Sequence, residues 1–127
     1  MAPSSANSSK MLLAERVISA TCKELNIARD GVEVGVHIVT PQRMRALNKQ
    51  HRGKNKSTDV LSFPLNVKHD ILYLGDIFIN NKEPRKRFPW LLVHGLLHCF
   101  GFDHERSKKD EKVMFALQDE ILTSLRN

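Results

Sequence analysis

The sequence predicts one α+β domain: a small mixed sheet packed against helices, with a buried central helix carrying two histidines. Three observations lead there. Helix-period stripes near each end of the chain flank segments of strand character at 32–39 and 72–80. The stretch Trp90–Phe100 is apolar nearly all round, as in a helix enclosed by other elements. And 127 residues are enough for one hydrophobic core, not two.

Residues 1–9 are Ser-rich, lack the apolar centre of a secretory signal and are expected to form a disordered leader. From Lys10 to Leu25 the apolar positions Leu13, Val17, Ile18, Cys22 and Leu25 fall at helical spacing, with Ser9 available as N-cap. Cys22 lies on that stripe as a small core residue. Asn26–Gly31 is a turn. Val32, Val34, Val36 and Ile38 then alternate with Glu33, Gly35, His37 and Val39, the period of a strand with one buried face. Thr40–Pro41 caps and opens a helix to about Lys49, with Met44 and Leu47 inward. Gln50–Ser57 is a basic loop. Val60–Phe63 is a short strand ended by Pro64. Leu72–Asn80 is a second long strand, with Gly75 at a bulge or close approach. Asn81–Arg87 is a charged loop, and Pro89 opens the apolar helix. Gly101 ends it in a left-handed turn. The last helix starts at Ser107, with Asp110 three residues on and Val113, Leu117, Ile121 and Leu125 inward.

Composition narrows the function classes. Apolar residues make up 41% and charged residues 27%, the balance of a soluble globular protein, and no apolar run approaches the ~20 residues of a membrane span. Twenty Lys and Arg against fourteen Asp and Glu give +6, an excess that favours an acidic partner, RNA being the commonest. Two distant cysteines, Cys22 and Cys99, form no disulfide framework and no CxxC motif, so a reduced intracellular setting is expected.

The strongest chemical signal is His94-Gly95-Leu96-Leu97-His98-Cys99-Phe100-Gly101-Phe102-Asp103-His104, which holds half of the chain's six histidines. His94 and His98 stand one turn apart on one helix face. Imidazoles on an apolar helix need partners for their ring nitrogens, and a divalent metal supplies one. Gly101 lets the chain turn so that His104 can add a third ligand, leaving the open fourth position of a catalytic zinc. The spacing H-x-x-x-H-x-x-G-x-x-H is that of the metzincin proteases, with Gly95 where they carry their general-base Glu. The metal is retained and the peptidase chemistry is not. Asp103 and Asp76 are candidates to accept imidazole N–H groups, and Cys99 faces away as a core residue.

A second cluster runs from Asn48 to Pro64. Arg52, Lys54 and Lys56 stand where a helix end meets a basic loop, and an arginine can bind an oxyanion in a fork. The run Lys82–Arg87, with Arg85, Lys86 and Arg87, offers further phosphate contacts.

Together these clusters resemble the YbeY family of metal-dependent endoribonucleases. Arg52-Gly53-Lys54, Thr58-Asp59-Val60-Leu61-Ser62-Phe63-Pro64, Gly75-Asp76-Ile77 and the histidine motif match the family's motifs in order, over roughly Val32 to Leu125. The resemblance implies a zincin-like domain at 10–127, one Zn2+ held by His94, His98 and His104, and Arg52 as the functional arginine beside it. It implies single-strand-specific cleavage in ribosomal RNA processing, at the 3′ end of small-subunit rRNA, and a role in ribosome assembly or quality control. The implied partners are ribosomal RNA and the small ribosomal subunit, with its proteins and an Era-like GTPase. The expected compartment is the cytoplasm or, alternatively, a mitochondrial or other organelle matrix. A zinc-stabilised assembly factor without catalysis, or a zinc hydrolase of another substrate, are the alternatives. The stretch from Asp76 to His94 is shorter than in family members, so a helix there is expected to be reduced to the loop 81–87. The family's N-terminal strand has no clear counterpart before Lys10.

Overall fold

A computed structural model describes residues 5–126. The chain forms α1 (Ser5–Glu24), β1 (Val32–Val39), α2 (Pro41–Arg52), β2 (Val60–Lys68), β3 (Leu72–Asn80), α3 (Phe88–Cys99) and α4 (Lys108–Ser124). Short 3-10 turns at Arg29–Gly31 and Arg85–Arg87 precede β1 and α3. The sheet order is β1-β3-β2, with β3 parallel to β1 and antiparallel to β2. This is the expected small mixed sheet packed against helices.

The central strand carries the core. Leu74, Ile77 and Ile79 of β3 are fully buried and meet α3, whose Leu91, Leu92, Val93, Leu96 and Leu97 are buried in turn. Ala14, Val17, Ile18 and Cys22 of α1 and Met114 and Ile121 of α4 close over them. On the other side of the sheet, Met44 and Leu47 of α2 pack with Leu61, Phe63 and Phe78 in a smaller cluster.

Several elements differ from expectation. α1 begins at Ser5, so Ser9 is not its N-cap and the described part of the expected leader, 5–9, is helical; residues 1–4 lie outside the described residues. Added turns at a helix end each gain a backbone hydrogen bond once the helix is nucleated. α2 runs on to Arg52, because the chain leaves the helix only at Gly53, which adopts φ 69° and returns its N–H to Asn48 and Lys49. β2 passes through Pro64 to Lys68. A proline is tolerated there because β2 is an edge strand and the ladder shifts register between Pro64 and Val67. Gly75 faces Pro64 at φ 140°, and a Cβ on it would lie 2.2 Å from the Phe63 carbonyl oxygen, so the expected close approach is real. On α4 the inward stripe is Met114, Gln118 and Ile121, and Val113 is exposed. The expected stripe kept Val113 because Gln118 is polar and hid the true register.

Candidate metal centre

α3 is enclosed on all but one stripe. Pro89 apart, the residues of this helix that are not buried are Trp90, His94 and His98, each four positions from the next. Pro89 sits in the first turn, as the sequence predicts, and Gly101 leaves the helix at φ 103°. There the Gly101 N–H meets the His98 carbonyl at 3.0 Å and the Phe102 N–H meets Leu97 at 2.9 Å. This closed turn carries the chain back toward the helix and delivers His104.

His94, His98 and His104 each offer a ring nitrogen, all within 4.8 Å of one another. Nε2 of His94 and Nε2 of His98 stand 3.2 Å apart. The His104 ring centre is 5.0 Å from that of His94 and 5.1 Å from that of His98. Among the described residues, Nδ1 of His104 is a buried polar atom without a hydrogen-bond partner. The orphaned nitrogen is costly as a purely protein arrangement, and it and the two facing Nε2 atoms, which otherwise satisfy only each other, fit a cation between them. The protonation equilibria agree. Burial, then the neighbouring His98, lowers the His94 pKa, and burial, then His104, lowers that of His98. Both favour the neutral form that a metal requires.

The linkage has a definite sign. A His whose folded pKa is lowered contributes stability that is complete above the unfolded value of 6.5 and is lost as pH falls through the lowered one. The metal-free protein is therefore expected to lose melting temperature between pH 7.5 and 5.5. A His94→Gln/His98→Gln variant should show a flatter profile over the same range, and equal slopes would remove this account.

Gln118 is the site residue the sequence does not disclose. It is 1% exposed, on the inward stripe of α4. Its Nε2 donates to the Trp90 carbonyl at 3.2 Å, which turns Oε1 toward Nδ1 of His94 at 3.4 Å. An amide oxygen accepts, so Nδ1 carries the proton and Nε2 of His94 keeps its lone pair for an ion. The two carboxylates expected in this role do other work. Asp76 accepts from Nε2 of His37 at 2.8 Å, on the face of the sheet away from α3. Asp103 accepts from the Glu105 amide at 2.8 Å, fixing the turn before His104. Cys99 is fully buried, and burial pushes its thiol up to about 11, as befits a core residue.

Position 95 explains the glycine in the motif. A Cβ there would stand 2.9 Å from Cγ2 of Ile77 and 3.0 Å from Oγ of Ser62. α3 thus lies directly against β2 and β3 at the level of the histidines, and no side chain fits between.

A cleft of about 620 Å³ opens over the three histidines, walled by β2 from Val60 to Ser62 and by the turn Asp103–Arg106. Arg52, at the end of α2, lines the same cleft. The α2 extension is what places it there. Arg106 also lines the cleft, held by Asp110 at 2.7 Å, and no sequence signal marked it. The other predicted basic residues are not brought to the cleft. Lys54 and Lys56 are exposed on the following loop, which Asn48 pins through the Lys56 carbonyl at 2.9 Å. Arg85 donates to Oγ of Ser9, Lys86 is exposed, and Arg87 bridges Glu83 and Asp59.

Comparison with known proteins gives a consistent result. A family model described as Endoribonuclease YbeY matches residues 4–126. The chain is 38% identical to the endoribonuclease YbeY of Persephonella marina, over 89% of this chain and 82% of that protein. It is 39% identical to the one from Geobacillus thermodenitrificans, over 74% of this chain and 73% of the relative. A solution structure from Thermotoga maritima superposes with a TM-score of 0.62 at 28% identity, covering 93% of this chain and 82% of that one.

Proposed function

The chain belongs to the YbeY family of endoribonucleases, and from that membership we propose that it cleaves single-stranded ribosomal RNA with a zinc ion held by His94, His98 and His104. Family membership supports an endoribonuclease role in ribosomal RNA processing. The finer reading is maturation of the small-subunit RNA 3′ end. The observation that carries it is the convergence of three imidazoles on the wall of a cleft that also holds an arginine.

Zinc at three neutral imidazoles supplies Lewis acidity, enough to bring the pKa of a water toward ~7 and to polarise a phosphoryl oxygen. The chain supplies the rest. The Arg52 guanidinium binds non-bridging phosphate oxygens in a fork and stabilises the charge that grows on them. Arg106, anchored by Asp110, adds positive potential on the other wall. Gln118 holds the His94 ring in one tautomer. No carboxylate stands at position 95 to take a proton, and the sheet leaves no room for one. This favours a phosphodiester over a peptide substrate.

Arg52→Ala is expected to slow RNA cleavage by roughly 10²–10³-fold while zinc stays at one per chain. Its side chain is exposed, so folding should be untouched. Loss of zinc together with cleavage would reassign Arg52 to a structural role, and unchanged cleavage would remove it from the site.

A further inference from the structure

The open stripe of α3 holds three rings, not two. Trp90 precedes His94 by one turn and is 37% exposed. Its indole lies nearly parallel to the His94 imidazole, at 10° and 4.9 Å between centres. On α4, Phe115 is exposed to the same degree, and its ring stands 6.5 Å from His94 and 5.8 Å from His104. Neither ring belongs to the buried apolar clusters. Trp90 adjoins the cleft through His94, on which it stacks and which lines that cleft. The Arg87 guanidinium lies 6.0 Å from the indole centre and is paired with Asp59, which lines the cleft. The sequence marks Trp90 only as part of an apolar helix and leaves Phe115 unassigned.

We infer that Trp90 and Phe115 each present a stacking face for an unpaired nucleobase beside the phosphate held at the histidines. The inference rests on the RNA-cleaving function proposed above and names what that site recognises. Exposed aromatic surface beside metal-ligating rings suits a flat partner. A base inside a duplex has both faces occupied by its neighbours and cannot be offered to such a rim. An unpaired base can. The rim therefore imposes single-strand preference without reading sequence, because every base has a π-face.

Trp90 is the chain's only tryptophan, so its emission reports this site alone. The zinc-loaded protein is titrated with a 2′-O-methyl RNA ten-mer of unpaired sequence, and binding is followed in parallel by anisotropy of a labelled copy. The expected result is saturable quenching of Trp90 emission, with the same midpoint as the anisotropy. A duplex of equal length should leave the emission unchanged. Phe115→Ala should weaken single-strand binding by about tenfold with zinc still at one per chain. Binding by anisotropy with unaltered Trp90 emission overturns the inference, as does equal quenching by the duplex or loss of zinc in Phe115→Ala. Cleavage of unmodified RNA is measured on the same sample. Absence of both binding and cleavage would sink the RNA-cleaving function itself, whereas cleavage without a response from Trp90 sinks the stacking site alone.

Discussion

Replacing His98 with alanine is expected to abolish the metal centre: zinc falls from one per chain to below about a tenth, and RNA cleavage falls by at least about 10³-fold. Three protein ligands are the minimum for a catalytic zinc, and two imidazoles on one turn do not hold it against competing chelators. The Lewis acid contributes several kcal/mol to the transition state, and each 1.4 kcal/mol is a factor of ten. The fold should survive, because His98 is half-buried on the open stripe and not part of the packed core. Circular dichroism and the melting curve of the metal-free variant check this. If the variant kept full zinc occupancy, the ligand assignment would be wrong.

The second large effect concerns Gly95. Gly95→Glu restores the residue that metzincin proteases carry at this place, but the expected product is an unfolded chain and not a peptidase. Position 95 is buried, with Ile77 and Ser62 already within 3.0 Å of where a Cβ would stand. A carboxylate forced there must separate α3 from the sheet or lie unpaired in the core, at about 3–5 kcal/mol for the charge alone. Overpacking adds ~1–3 kcal/mol. Against a typical domain stability of ~5–15 kcal/mol this is most of the margin. Denaturant titration of the soluble fraction measures it. A stable Gly95→Glu protein that hydrolyses casein would show that the glycine is a chemical choice and not a packing one.

How much was legible depended on whether the controlling physics was local. Both long strands, the capped helix at Thr40–Pro41 and the apolar helix around His94 rest on periodicity and turn chemistry that act within a few residues, and each stands where the pattern places it. The clustering of the three histidines was legible because spacing on a helix is local too, and Gly101 signals the turn that brings His104 round. Long-range features were not legible. Pro64 reads as a strand breaker until β2 is known to be an edge strand beside a bulge. Gln118 reads as a surface residue until α3 supplies the Trp90 carbonyl and the His94 ring that satisfy it. Asp76 directly precedes the core residue Ile77, but its side chain bonds His37 of β1 and not the three histidines. The run Arg85–Arg87 looks like a free cationic patch in sequence, yet Asp59 and Glu83 neutralise Arg87. Charge counts along a chain do not report which cations are already paired.

Three imidazole nitrogens, and no sulfur, are expected to surround one zinc ion, and X-ray absorption at the zinc edge on the one-to-one zinc protein reads that ligand set. Three nitrogen scatterers at about 2.0–2.1 Å with imidazole multiple scattering, plus one light atom, is the expected spectrum. A sulfur scatterer near ~2.3 Å, which would place Cys22 or Cys99 on the metal, or fewer than three imidazoles, would overturn it.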